Sequence, residues 1–262
     1  MTIIITGTST GIGFALAEFF GKKGHQVFGL SRKNVESSYF TTIPTDITDN
    51  TQVQNAVTEI LKTENRIDIL INNAGMGMVG SVEDSSQEEI LKLFNLNLVG
   101  YVQMMSAVLP KMREQKLGKI INISSIGSEM GLPFRGFYSA SKSALDKVTE
   151  AIRYEVSPWN IDVCTLHLGD IKTKIAENRV KTKVSEPYQK TFEKIYAIMN
   201  AHVDDGTEPL EVAEYIEKLL AKKSWKAHYY FGKFGQKIGV PLKWILPQNF
   251  YENLMRKYNK MD

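Results

Sequence analysis

Apolar positions fall into two kinds of run along the 262-residue chain. Short, nearly continuous apolar runs occupy Thr2–Thr6, Gln26–Ser31, 43–46, 68–72, 119–124 and 161–167, with a further run at 226–231. Runs this short, bounded by turn residues and rich in Ile and Val, read as strands buried on both faces. Between them, polar and apolar residues alternate with helical spacing over 11–23, Asn50–Glu64, 86–113, 139–156 and 208–222. Pro158 stops the fourth of these helices, and a break is expected near Glu114. Strand and helix alternating in this way imply an α/β domain, a doubly wound parallel sheet of about seven strands with helices on both faces. The stretch 174–206 is heavily charged and weakly periodic, and predicts no clear element. No repeat or low-complexity segment interrupts the pattern.

Composition fits one ordinary globular domain spanning 1–262: 43 % apolar, 23 % charged, net charge +3. The single cysteine, Cys164, excludes an internal disulfide and a cysteine-rich metal site, and no metal is expected. The first strand starts at Thr2, which leaves no room for a signal peptide, and no apolar run reaches ~18 residues. A cytoplasmic protein is the expectation. The charge is uneven. Residues 222–262 hold nine Lys/Arg against two Asp/Glu, a net +7, and nine aromatic residues, Trp225, Trp244, Phe250 and Tyr251 among them. Such a segment can cap the fold, cover a pocket for a large apolar substrate, or lie on an anionic membrane surface. No nucleic-acid reader motif accompanies the charge, so nucleic acid is not an expected partner.

The chemistry gathers in a few motifs. Tyr138 and Lys142 stand four apart in Tyr138-Ser139-Ala140-Ser141-Lys142. On a helix they share a face, and a nearby ammonium lowers the pKa of a phenol toward a range useful for proton exchange. Upstream, the strand Lys119-Ile120-Ile121-Asn122-Ile123-Ser124-Ser125 ends in two hydroxyls, and open α/β sheets collect function at the carboxyl ends of their strands. Near the N-terminus, Thr6-Gly7-Thr8-Ser9-Thr10-Gly11-Ile12-Gly13 joins a strand to a helix. Gly7 permits a tight turn, while Gly11 and Gly13 let backbone approach a phosphate at the helix N-terminus. Asn72-Asn73-Ala74-Gly75 follows another strand, and Asn97 lies in Phe94-Asn95-Leu96-Asn97-Leu98-Val99-Gly100.

In order and spacing these motifs resemble the short-chain dehydrogenase/reductases, and the resemblance runs from about residue 2 to residue 175. It implies a Rossmann-type single domain, a nicotinamide dinucleotide cofactor, a small carbonyl or alcohol substrate, and a homodimer or homotetramer. It implies a catalytic set of Asn97, Ser125, Tyr138 and Lys142. Tyr138 would give its proton to the developing alkoxide. Lys142 would lower the Tyr138 pKa and bind the nicotinamide ribose. Ser125 would hydrogen-bond the carbonyl oxygen, and Asn97 would hold a water linking Lys142 to solvent. The cofactor would lie against Gly7, Ser9, Thr10, Gly11, Ile12, Gly13, Ser31, Arg32, Asp46, Ile47, Asn73, Ala74, Gly75, Tyr138, Lys142, Gly169, Ile171 and Thr173. Asp46 resembles the family's adenine contact, with a helix N-cap as the competing role for Asp46 or Thr48.

Cofactor choice turns on the end of the second strand, where an acid selects NAD and an arginine accommodates the 2′-phosphate of NADP. Ser31 stands at the acid's place and Arg32 follows, so NADP(H) is favoured over NAD(H), although Thr10 occupies a position often basic in NADP-preferring members. One departure is Leu168, where the family usually has proline before Gly169, Ile171 and Thr173. In this family the stretch 174–206 is the substrate lid, and Tyr188, Phe192, Tyr196 and Met199 could line its apolar side or equally be ordinary packing. The tail loosely resembles retinol and hydroxysteroid dehydrogenase-like members, which points to a lipophilic ketone or aldehyde. Two alternatives stay open: a non-catalytic dinucleotide-binding sensor or scaffold, and an NAD-dependent peripheral-membrane dehydrogenase.

Overall fold

A computed structural model of the chain describes residues 1–173, 179–259 and 261. Seven parallel strands form one sheet: β1 (Thr2–Thr6), β2 (Gln26–Ser31), β3 (Thr41–Pro44), β4 (Ile69–Asn72), β6 (Gly118–Ser125), β7 (Ile161–Leu168) and β9 (His228–Phe231). Their spatial order is β3-β2-β1-β4-β6-β7-β9. Strand order therefore reverses beside β1, which pairs with β2 on one side and β4 on the other. A second, two-stranded pairing joins β5 (Met78–Val79) to β8 (Val180–Lys181).

Side chains alternate across each strand, and the two apolar faces divide accordingly. Ile3, Ile5, Ile69, Ile71, Ile121, Ile123, Cys164 and Leu166 meet α1 (Gly11–Lys22) and α7 (Pro209–Leu220), through Leu16, Ala17, Phe20, Val212, Ala213 and Ile216. Ile4, Leu70, Ile120 and Val163 meet α2 (Asn50–Glu64), α4 (Gly100–Gln115) and α5 (Gly136–Glu155), through Val53, Ile60, Tyr101, Met104, Val108 and Leu145. This is the doubly wound arrangement the alternation of runs implies. The sheet is anchored at its rear edge as well. Thr2 donates its backbone N–H to Asp68 Oδ2 at 2.8 Å, and Arg66 pairs with the same carboxylate.

Four local expectations are corrected or refined. The third strand sits two residues earlier than 43–46, because Asp46 folds into a turn in which Thr48 donates both N–H and Oγ1 to Asp46 Oδ1, at 2.9 and 2.8 Å. Asp49, not Asp46 or Thr48, caps α2, accepting from the N–H groups of Thr51 and Gln52. The long helical region stops at Gln115, beside the break expected near Glu114, with Lys116 left-handed, but it is also interrupted earlier by a π turn at Asn95–Val99, between α3 (Gln87–Phe94) and α4. The stretch 174–206 contains a full helix, α6 (Glu186–Asp204), although its first five residues lie outside the described ones. The tail adds α8 (Phe234–Ile245) and α9 (Gln248–Tyr258) after β9.

One described helix, Gln87–Gln115, is long and apolar enough by composition to cross a membrane, with a mean hydropathy of 1.2 over its best window. No such segment is expected from continuous apolar runs alone. Tyr101, Met104, Met105, Val108 and Met112 on this helix are packed in the domain core, so its apolar character serves the core.

The packing predicts a clean separation of stability from ligand binding at α7. Ile216 is fully buried between α7 and the sheet, away from the carboxyl edge. Ile216→Ala should cost about 2–5 kcal/mol in denaturant unfolding, while ligand binding by the folded protein at the carboxyl ends of the strands stays within a few fold.

Candidate active site

The carboxyl ends of β1, β4, β6 and β7 meet at the switch point and build the site. The link between the first two is direct. Thr6 Oγ1 accepts from the backbone N–H of both Asn73 and Ala74 at 2.9 Å, and Asn73 Nδ2 donates to Thr6 O at 2.9 Å. Gly7 (φ +74°) then turns so close to this segment that a Cβ would lie 2.7 Å from Ala74 Cα. At Gly13 a Cβ would meet the Gly7 carbonyl at 2.3 Å, so only glycine lets α1 start against the strand end. Both substitutions would force backbone apart, which explains the motif physically.

The start of α1 fits an anionic group. Side chains cap α2 and α3, but Thr10 makes no cap hydrogen bond to α1, so its first amides and its positive dipole end are left open. Thr8 Oγ1 is buried there without a partner. Ser9 and Thr10 sit at the mouth of this turn. At the end of β2, buried Ser31 donates its Oγ to Lys33 O at 2.7 Å, while Arg32 and Lys33 are exposed. Ile47 is a core residue packed on Gly100, so its side chain has no surface to offer a ligand.

Tyr138, Ser125 and Lys142 line a single cavity of about 380 Å³, together with Ile12, Asn73, Gly75, Gly169, Ile171 and Thr173. Tyr138 and Lys142 follow one another on α5 at i, i+4, as the spacing requires. Their interaction differs from the expectation. Lys142 Nζ donates to Ile123 O at 2.8 Å and lies 5.0 Å over the Tyr101 ring. Burial pushes its pKa down to about 8, against the pull of the Asp146 carboxylate. Burial raises the Tyr138 phenol above its ordinary value. The groups that draw it back down are the Ser125 hydroxyl, hydrogen-bonded to it, and then the guanidinium groups of Arg135 and Arg179. The two arginines are tuning groups beside Tyr138 that the sequence pattern does not single out. Ser125 Oγ also accepts from Gly127 N–H at 3.0 Å, which fixes its position.

Asn97 lies in the π turn, fully buried, and does not reach the cavity. Its Oδ1 accepts from Met76 N–H and its Nδ2 donates to Met76 O, both at 3.0 Å. Nδ2 also approaches Ser141 Oγ at 3.2 Å. Asn97 thereby sets the position of Gly75 and Met76, which line the cavity. Leu168 in place of proline lengthens β7, so that Leu168 pairs with Phe231 and Gly169 N–H donates to Phe231 O at 2.8 Å. Strand pairing supplies the rigidity that the missing proline put in question.

Behind Lys142 lies a buried polar network. The stride of four from Tyr138 and Lys142 continues to Asp146 and Glu150. His167, fully buried, sits 3.8 Å from Asp146 Oδ2, 3.0 Å from Ser128 Oγ and 3.1 Å from His228 Nδ1, and His228 Nε2 meets Glu150 Oε1 at 3.0 Å. Burial lowers the His167 pKa and raises that of Asp146. Glu129, Asp146 and His167 bring ligand-type atoms within 4.8 Å of one another. Glu129 Oε1 accepts from Tyr230 OH at 2.7 Å and His167 Nδ1 meets Ser128 Oγ at 3.0 Å, while Asp146 Oδ1 is buried without a hydrogen-bond partner. Sequence reading missed this network. An acid at 146, on the inward face of an amphipathic helix, is the one signal that could have shown it.

Most of the remaining lining is apolar, with Arg135, Asp170, Arg179 and Gln236 among the polar exceptions. Of the four residues expected to line a lid, only Met199 does so; Phe192 and Tyr196 pack with Phe134 and Val79, and Tyr188 is exposed, its OH donating to Glu83. The cavity stripe of α6 is Ile195, Ile198, Met199, His202 and Val203. The tail closes the other side with Ile238, Leu242, Tyr251, Leu254 and Met255.

Comparison with known proteins follows the geometry. The family model described as short chain dehydrogenase matches residues 1–184. The chain is 38 % identical over 258 residues to a 3-ketodihydrosphingosine reductase of Bacteroides thetaiotaomicron, covering 97 % of this chain and 96 % of that one. It is 32 % identical over 266 residues to a probable short-chain type dehydrogenase/reductase of Helicobacter pylori, covering 97 % and 96 %. The solved structure of a short-chain dehydrogenase from Streptomyces avermitilis superposes with a TM-score of 0.83 at 24 % identity, covering 100 % of this chain and 99 % of the other.

The buried ammonium sets a measurable strain. Moving a lysine from 10.5 to about 8 by burial corresponds to about 3 kcal/mol against folding. Lys142 is charged in both folded and unfolded chains below pH 8, so the cost is fully present there. It is relieved as pH rises from about 8 toward 10.5, where the unfolded chain binds more protons. Lys142→Met should therefore raise the melting temperature of the ligand-free protein at pH 7, and the difference from wild type should shrink by pH 10. Calorimetry at the two pH values checks both; a variant less stable than wild type at pH 7 would show that Lys142 stabilises the fold.

Proposed function

The chain belongs to the short-chain dehydrogenase/reductase family, and on that premise we propose that it is an NADPH-dependent reductase of a lipophilic ketone or aldehyde. That it is an NAD(P)-dependent oxidoreductase follows from the family. The finer reading rests on one observation above all: Ser125, Tyr138 and Lys142 converge on a cavity in which Met, Leu and Ile are the commonest side chains of the remaining walls. The Bacteroides relative, named for reducing 3-ketodihydrosphingosine, supports the direction of reduction.

The residues present suit the cofactor. The uncapped start of α1 and the close backbone at Gly7, Gly11 and Gly13 would hold the pyrophosphate, and Asn73, Ala74, Gly75, Ile171 and Thr173 would flank the nicotinamide half. Asp46, fixed by its turn with Thr48, would contact the adenine. Arg32, exposed beside a strand end without an acid, would meet the 2′-phosphate. Bound NADPH supplies the hydride.

The protein's own part is proton delivery and charge stabilisation. Tyr138 donates its phenolic proton to the substrate oxygen as negative charge develops there. Arg135 and Arg179 favour the phenolate left behind, which offsets the effect of burial. Ser125, positioned by Gly127, hydrogen-bonds the same oxygen. Lys142 presents an ammonium able to bond ribose hydroxyls, and Asn97 holds the floor of the site in place through Met76. A cytoplasmic homodimer or homotetramer completes the proposal, and the lone buried thiol suits a reducing compartment.

Two measurements test it. Tyr138→Phe keeps the ring and removes the donor, so carbonyl-dependent NADPH oxidation should fall at least ~10²-fold with NADPH binding retained. Near-normal turnover would remove Tyr138 from the chemistry. Arg32→Ala should weaken NADPH by roughly 10- to 100-fold relative to NADH, the size of a charge-assisted contact. Equal weakening of both cofactors would show that Arg32 does not read the phosphate.

A further inference from the structure

Two guanidinium groups face the cavity next to the phenol. Arg135 lies three residues before Tyr138, at the N-cap of α5, and Arg179 immediately precedes β8. Both line the cavity, and both act on the charge of Tyr138. Arg135 Nε is shut off from water with no hydrogen-bond partner. Arg179 donates to Asn200 Oδ1 at 2.8 Å, and its stem packs where a Cβ on Gly77 would stand. Among the described residues, neither guanidinium has a carboxylate within ion-pair distance, although most other paired cations of the chain are exposed at the surface. Asp170 is the carboxylate facing them, and it is engaged by the side chain of Gln236.

This arrangement opposes folding. Burial lowers the pKa of both arginines, and each cation repels the other at Arg135. Desolvating a charge without a partner is expensive, and two like charges together are worse. Two planar forks facing one cavity can recognise carboxylate, phosphate or sulfonate oxygens. The other walls, Met130, Leu132, Leu242, Leu254 and Met255 among them, recognise hydrocarbon.

We propose that the substrate is an amphiphilic ketone that carries an anionic group within a few carbons of its carbonyl, held by Arg135 and Arg179, with its apolar chain under α8 and α9. The proposal rests on the carbonyl-reductase reading for its reaction, but not for its anion site. The reaction balances as an ordinary reduction: the carbonyl carbon gains hydride from NADPH, the oxygen gains the Tyr138 proton, and the anionic group is unchanged.

The test uses the full chain with NADPH and one alkyl methyl ketone. Matched ketones of the same length carry a carboxylate, a sulfonate, a phosphonate or a trimethylammonium group two or three carbons from the carbonyl. The expected result is a kcat/KM for at least one anionic ketone roughly 10- to 100-fold above the neutral one, the size of a charge-assisted contact. The trimethylammonium ketone should be the poorest. Arg135→Gln and Arg179→Gln should each drive the anionic-to-neutral ratio toward one, and Arg135→Lys should restore part of it, since charge returns without the fork. NADPH affinity, measured by fluorescence in the same variants, should stay within threefold, which separates this site from the cofactor's phosphates. Which anionic ketone leads identifies the acid. In parallel, binding of an alkyl sulfonate, an alkyl carboxylate and the matching alcohol to the NADPH complex is measured by calorimetry. If no ketone is reduced but the anions bind through Arg135 and Arg179, the reductase reading fails and the anion site stands. If wild type prefers neither anions in turnover nor anions in binding, or if the arginine variants leave that preference intact, the proposal is overturned.

Discussion

The pairing of β1 on both sides is the constraint on which the site depends. A strand that joins β2 and β4 at once ends where chain order reverses, and the crevice there is the only place that two sets of loops can leave open. Thr6 converts that topological fact into geometry. Its single Oγ1 accepts from two successive amides of the segment after β4, which locks the glycine turn to the floor of the cavity. Gly7 and Gly13 then have no freedom to carry a side chain, because the gaps they occupy are already at backbone contact distance. The helix start, the cavity floor and the strand ends are one rigid unit before any ligand arrives.

On that unit the protein concentrates charge that it does not neutralise. Lys142 is held by one carbonyl, the face of Tyr101 and the field of a buried acid, none of which equals full hydration. Arg135 and Arg179 face the same cavity without a carboxylate at ion-pair distance among the described residues. Tyr101 OH and Thr8 Oγ1 are buried and unbonded. The core beneath is continuous Ile, Leu, Val and Met on both faces of the sheet. That apolar packing supplies the stability which lets a preorganised but costly polar surface persist at the strand ends, the general relation between active-site strain and the surrounding fold.

Much of this was legible in sequence, for a physical reason. β1 and β2 lie where the apolar runs placed them, and the glycine turn and the Tyr138–Lys142 spacing are local patterns that the fold cannot rearrange. What the sequence hid was contact between distant segments. His167 reads as one polar residue in an apolar strand; its partners Ser128, Asp146 and His228 come from three other elements. No local pattern sets Arg135 and Arg179 apart from other charged residues, yet both line the cavity beside Tyr138. The helix α6 was obscured because charges outnumber apolar residues on its outer face. Its inner stripe of Ile195, Ile198, Met199, His202 and Val203 is regular once the outer face is set aside. The expected pull of Lys142 on Tyr138 followed from i, i+4 spacing, which fixes a shared face but not where a long ammonium stem ends.

The cavity is assembled from two kinds of wall, and the difference governs what can vary. Its floor comes from strand ends tied into the sheet by ladder hydrogen bonds, so a shift there would disturb β1, β4, β6 and β7 together. Its remaining walls, α6, α8 and α9, carry no strand pairing and meet the floor through apolar side chains such as Ile126, Met130, Val240 and Met255. Contacts of that kind are non-directional and tolerate volume-conserving change. The reactive end of the cavity is thus fixed by hydrogen-bonded geometry, while the shape of its apolar walls is set by packing that can be altered piecemeal. The arginines stand at the seam, one at the start of α5 on the rigid side and one beside β8, bonded to Asn200 of α6. A ligand bridging them would join the fixed half of the cavity to the adaptable half, and its charge would be read at the point where the carbonyl must be placed.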